Sequence, residues 1–208
     1  MKLIINQKQV KNLTFKLTGK EEITVSAPAN MDITLIKKMV RVNRDKIDRL
    51  IEEDKERVTY DNPHDLSYIY LFGEKIPVVK CREKSHIFEG KFYLNIEKDP
   101  LLEIEKLYRE TLEKYIPEKI KAFGDRLNIY PTEVKTRKMC SRWGTCYQDR
   151  KLIILNIFLS KREKNEIDYV IAHEMAHLLV PNHSKDFYAL LQKIMPEYRE
   201  IRSKMGRV

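Results

Sequence analysis

The chain has 208 residues, 42% of them hydrophobic and 34% charged, and its 40 Lys and Arg against 31 Asp and Glu give a formal net charge of +9. That balance describes a folded globular protein with core enough for one large or two small domains, and it excludes a disordered or fibrous chain. No apolar run reaches the length of a membrane span, three cysteines make no disulfide framework, and Met1–Lys8 lacks a signal-peptide h-region, so a cytoplasmic protein with reduced thiols is expected.

Residues 2–29 read as strands. Leu13, Phe15 and Leu17 alternate with polar neighbours, and Thr18-Gly19-Lys20-Glu21 suits a turn before Ile23-Thr24-Val25. Asp32 is placed to cap a helix over about 33–56, with Ile33, Ile36, Val40, Ile47, Leu50 and Ile51 as its apolar stripe. Strands return from about 67 to 97, where Tyr68–Leu71 and Ile76–Val79 flank a turn at Phe72-Gly73-Glu74-Lys75, and shorter runs follow near Ile87 and Phe92–Leu94. Asp99-Pro100 opens a helix that resumes after a break or kink at Pro117 and ends near Leu127. The predicted domain boundary falls near 97–100, where this helix begins. Residues 1–98 form a β-rich N-terminal region with one long helix, and 99–208 a second domain.

Within 132–158, Val134 to Cys140 and Lys151 to Leu155 read as strands, with Trp143-Gly144-Thr145-Cys146 between them. A helix is predicted over about 163–180, ended by Pro181-Asn182, because a proline pushes the residue before it out of helical geometry. A last helix begins near Ser184, with Pro196 as a break. The fold class is α+β. The basic residues are spread over several predicted helices, from Lys37, Lys38, Arg41 and Arg44 to Lys161, Arg162 and Lys164 and to Arg199, Arg202 and Lys204. Net charge admits nucleic acid as a partner, but no nucleic-acid module accompanies it.

The chemistry lies in the helix over 163–180, which carries His173-Glu174-Met175-Ala176-His177, with His183 six residues further on. Residues four apart share a helical face, so both motif histidines can address one ion. H-E-x-x-H is the zinc-hydrolase arrangement in which the glutamate serves as general base. Tyr169–Ala172 and Leu178–Val180 make the flanks apolar, and a charged Glu174 on a buried helix is expensive without a task. His183 lies beyond the helix break, so the chain can turn back and offer a third imidazole. Three neutral ligands with one open position describe a single catalytic Zn2+, whereas structural zinc is closed by four protein ligands. The spacing equals that of the metzincins, but Val180 stands where their pattern needs a glycine, and a β-branched residue tolerates positive φ badly.

The run from His173 to Tyr188, with Ser141-Arg142-Trp143-Gly144-Thr145-Cys146 and Leu155-Asn156 upstream, closely resembles the YgjP-like metallopeptidase family, which is related to the SprT-like proteins. Thr145 stands where that family has Ser, and Tyr188 where it has Trp. Over the N-terminal half, only the order of elements and Gly73-Glu74-Lys75-Ile76-Pro77 are similar. The resemblance implies a zincin-like C-terminal half, with a small sheet packed on the metal helix, His173, His177 and His183 as ligands, and Glu174 as base. It implies a peptide or protein substrate, with Arg142 and Trp143 as a candidate part of the cleft wall, although Trp143 equally suits a packing role. Asn156, Ser184 or Asp186 would orient a ligand histidine. Two alternatives accompany it. Some family members are identified as UTP pyrophosphatases, which would make a nucleotide the substrate, and the SprT-like kinship allows a DNA-associated or partner-recruited protease. The oligomeric state is not specified.

Overall fold

The computed structural model describes residues 2–19, 22–45, 47–48 and 61–205. They fall into two compact units, Met1–Val58 and Thr59–Val208.

In the first unit, β1 (Lys2–Lys8), β2 (Thr14–Gly19) and β3 (Glu22–Pro28) form a sheet with β3 in the centre, parallel to β1 and antiparallel to β2. Asp32 caps α1 (Ile33–Val42) by accepting from the backbone N–H of Thr34 at 2.7 Å and of Leu35 at 3.3 Å. Ile23, Val25 and Ala27 alternate along β3 onto one face, and that face forms a core with Ile36, Val40 and Ile47. Ile33, expected in the stripe, is 53% exposed. α1 ends at Val42, where the Asn43 side chain donates to the Met39 carbonyl at 2.8 Å beside the backbone bond from the Asn43 N–H to the same oxygen at 3.0 Å. Residues 44–45 and 47–48 of the expected helix are helical again beyond Asn43, whereas Leu50, Ile51 and the remainder of it lie outside the described residues, as do Lys20 and Glu21 of the expected turn.

The second unit opens with two hairpins. β4 (Tyr68–Leu71) and β5 (Glu74–Cys81) are joined through Phe72-Gly73, both in the left-handed region at φ 52° and 85°. β6 (His86–Phe88) and β7 (Lys91–Asn95) are joined through Glu89-Gly90 at φ 45° and 70°. Such two-residue loops match the twist of the strands they connect. β5 pairs parallel to β7, giving the order β4-β5-β7-β6. α2 (Pro100–Leu127) starts on the Asp99 cap, with Pro100 where a missing N–H is harmless, and ends at Asn128 in the left-handed region. It runs through Pro117 as one element. Leu112 and Ile116 before the proline and Phe123 after it are all buried in the same core, which holds the two halves together.

The division between units therefore falls at 58/59 rather than at the expected 98/99. Ile69, Leu71, Phe92 and Leu94 of the four-stranded sheet pack with Ile104 and Tyr108 of α2 and with Ile157, so these strands bury their apolar face against elements later in the chain.

β8 (Glu133–Arg137), β9 (Gly144–Tyr147) and β10 (Leu152–Asn156) form a third sheet in the order β8-β10-β9, with β10 parallel to β8 and antiparallel to β9. Ile153 and Leu155 face the main core with Ile167, Val170, Ile171, Met175 and Ala176 of α3 (Lys164–His177). Two short helices, α4 (Lys185–Ile194) and α5 (Tyr198–Met205), add Phe187, Leu191, Ile194, Tyr198 and Ile201 to it. The fold is mixed α+β, with five α-helices and three small sheets among the described residues. No helix among them is long and apolar enough to cross a membrane.

Candidate metal centre

α3 is fixed at its start by a reciprocal capping box between Glu163 and Glu166, and the buried Arg162 pairs with Glu166. The helical period then sets His173 and His177 on one face. After α3 the chain turns through Pro181-Asn182, and Ser184 caps α4 by accepting from the Phe187 N–H at 3.4 Å. His183 is thereby held just before that cap.

The three imidazoles converge. His173 Nε2 lies 3.2 Å from His177 Nε2 and 3.1 Å from His183 Nε2, and the candidate ligand atoms of all three residues lie within 4.8 Å of one another. Three nitrogens bound about 2.0–2.1 Å from one tetrahedral zinc would stand about 3.3 Å apart, so the donor set fits that ion. His177 Nδ1 lies 3.0 Å from the Val180 carbonyl, which only accepts; Nδ1 therefore carries the proton and Nε2 keeps its lone pair. The fully buried Phe187 ring packs against all three imidazoles at centroid distances of 4.5–4.9 Å.

Electrostatics agree with the geometry. Burial, with His177 and His183 beside it, pushes His173 down to about 3, and burial also lowers His177. Neutral imidazoles are what a metal requires. His173 Nδ1 is buried without a hydrogen-bond partner among the described residues. Glu174 is 6% exposed, and burial pushes its carboxyl up to about 8 against the opposing charge of Arg142. The nearby Cys146 thiol is raised to about 11 by burial and by Glu174, so it stays protonated at neutral pH.

Gly144 opens β9 against this carboxyl. A Cβ there would lie 2.6 Å from Glu174 Oε1 and 2.7 Å from its Cγ, so only glycine leaves room for the Glu174 side chain. A glycine inside a strand signals such a close backbone approach, and this is the sequence cue to its role. The Val180 carbonyl has no side-chain signature. The Phe187 ring is hidden among ordinary core residues at helical spacing.

Arg142 is exposed and near enough for its charge to act on Glu174. Trp143 packs against the main core, with the Arg162 guanidinium 5.4 Å from its ring. Asn156 is fully buried and holds the loop before β9. It donates to the carbonyls of Met139 at 2.8 Å and Arg142 at 2.9 Å, and accepts from the Phe158 N–H at 3.2 Å. Ser184 acts as the α4 cap. Asp186 is exposed in the first turn of α4.

The profile of the YgjP-like metallopeptidase domain matches residues 11–207. The chain belongs to the YgjP-like family. Membership makes it a metallohydrolase and implies a bound metal ion, usually zinc. No curated protein matches. Among solved structures, the chain is similar to the metallopeptidase zymogen abylysin of Pyrococcus abyssi, with 25% identity over 40% of this chain and 85% of that one and a TM-score of 0.38. In this YgjP-like chain, His173, Glu174 and His177 lie on α3 and His183 in the turn that follows it, all within the matched region.

Proposed function

We propose that this protein is a zinc-dependent peptidase in which His173, His177 and His183 hold one ion and Glu174 is the general base. The observation that carries the reading is the convergence of three Nε2 atoms next to a buried carboxyl confined by Gly144. A zinc ion held by these three histidines would supply Lewis-acid chemistry, lowering the pKa of water and polarising a carbonyl.

Glu174 takes a proton from the attacking water at its carboxylate oxygen and passes it to the departing amine nitrogen. Its carboxyl must be ionised to do so. Burial opposes ionisation, while Arg142 and a bound cation favour it. The Val180 carbonyl holds the His177 ring so that Nε2 faces inward. β9 is the edge of its sheet, with β10 on one side only, and it begins at the residue touching Glu174. An extended peptide that adds to this edge would bring its backbone alongside the site. Three free cysteines suit a reducing, cytoplasmic setting.

The test compares zinc-loaded parent and Glu174→Gln protein on an unfolded protein and on UTP. Cleavage of the polypeptide by the parent alone supports the peptidase reading. Release of pyrophosphate from UTP, with the polypeptide intact, would replace it with nucleotide hydrolysis. Equal cleavage by both proteins would remove Glu174 from the chemistry.

A further inference from the structure

Beside the metal centre, α4 and α5 line an open groove of about 660 Å3, within the size range of ligand sites. Lys185, Arg199 and Arg202 line it together with Tyr188, Tyr198 and Gln192, and no acidic side chain is among its lining residues. The sequence shows these cations only as part of a dispersed basic balance.

Their partners are neutral. Arg202 Nη1 donates to the Tyr188 hydroxyl and Arg199 Nε to the Tyr198 hydroxyl, each at 3.1 Å. The guanidinium carbons lie 5.5 Å and 5.7 Å from the same two rings. The rings stack on each other at 6.1 Å with an interplanar angle of 17°. Among the described residues, none of the three cations forms an ion pair with a carboxylate. The other cation of α5, Lys204, lies outside the groove and is paired with Glu200 at 2.8 Å. α5 thus neutralises the cation away from the groove and leaves the two inside it with N–H donors to offer, since a guanidinium carries five.

The groove starts one ring away from the metal centre. Tyr188 forms part of its lining, and the same ring lies 6.2 Å from that of His183 at an interplanar angle of 29°. An occupant of the groove would therefore lie against the ring that packs on His183. Phosphate sites are commonly built from glycine-rich loops whose backbone N–H groups face the ligand. The lining here is side chains, and no glycine occurs from Thr145 to Met205. Tyrosine rings and the Ala189 methyl suit an aliphatic stem, and the cations suit a carboxylate head.

We infer that this groove is a specificity subsite that receives an acidic side chain of the peptide substrate, glutamate above all. The inference rests on the peptidase reading, but its test does not depend on turnover. Zinc-loaded Glu174→Gln protein is titrated with fluorescent unstructured peptides carrying one Glu, walked through each position, and with their Gln twins. At one position the Glu peptide should bind about tenfold tighter than its twin, and the gap should shrink with salt. Adding Arg199→Gln and Arg202→Gln should close the gap while leaving the Gln twin's affinity unchanged. Lys185→Gln, on the exposed start of α4, should narrow it alone. Zinc content and melting curves establish that these variants fold.

Equal binding of all twins, no binding of either, or a gap that survives the double substitution would each overturn the inference. So would binding of inorganic pyrophosphate, lost on the same substitutions, with no preference for Glu. If the gap appears but the parent cleaves no peptide, the groove's preference for a carboxylate side chain stands, while the peptidase reading falls and with it the groove's role as a substrate subsite.

Discussion

Replacing Gly144 with alanine tests the placement of the base without touching a ligand. The added Cβ would sit 2.6, 2.7 and 2.9 Å from Oε1, Cγ and Cδ of Glu174. Ordinary carbon contacts begin near 3.4 Å, so the carboxyl must retreat by about 0.8 Å. It has little room to do so, because Glu174 is 6% exposed and its neighbours Met175 and Ala176 are fully buried. A shift of about 1 Å in a reacting group can lower the rate about 100-fold, and overpacking of this kind destabilises by about 1–3 kcal/mol. The three imidazoles are not among the atoms the new Cβ would meet most closely, so zinc should remain bound at one ion per chain. The assay is kcat/KM of zinc-loaded Gly144→Ala protein on a quenched-fluorescent unfolded substrate, beside its zinc content and melting temperature. We expect a fall of about 100-fold, mostly in kcat, with zinc retained. The same change made in Glu174→Gln protein should add little further loss, because the two residues act through one contact. Near-parental kcat/KM in the single variant would refute the reasoning.

Burial has two further consequences. In metal-free protein the Glu174 carboxyl is raised to about 8, so between the ordinary glutamate value and 8 the folded state binds more protons than the unfolded state. Stability therefore falls as pH rises through that window; Glu174→Gln should flatten the fall, and chemical denaturation of both apoproteins at pH 5 and pH 8 reads it. His173 has the opposite sign: with its folded value near 3, the unfolded state takes the proton first, and apoprotein stability should drop as pH falls from about 6.5. Asn156→Ala removes the fully buried side chain that ties Met139, Arg142 and Phe158, which should destabilise the fold by about 2–4 kcal/mol and lower kcat by loosening the approach to β9. Urea unfolding and steady-state kinetics check the pair.

The convergence of the three histidines was the most legible feature of the sequence because its geometry is local. Helical periodicity alone places His173 with His177, and the Pro181-Asn182 break makes room for His183. Elements with strong caps were legible as well: Asp32 and Asp99 sit where the structure uses them. Of the break or kink expected at Pro117, the break does not occur, since tertiary burial on both sides outweighs one lost helical hydrogen bond. The domain boundary was misplaced because the strands from Tyr68 to Asn95 look self-contained along the chain, while their apolar face is buried by α2 and Ile157. The role of Asn156 and the cationic groove were not legible. Each joins residues far apart in sequence or on separate helices, and neither leaves a periodic trace.

The central claim is that three histidines and no other side chains hold one zinc ion. Titrating metal-free parent, His173→Ala, His177→Ala and His183→Ala proteins with zinc against a competing chromophoric chelator tests it most directly. The account predicts one tight site per chain in the parent, and affinity lower by at least about 100-fold in each variant. Parental zinc affinity in the His183→Ala protein, or no zinc binding by the parent, would contradict it.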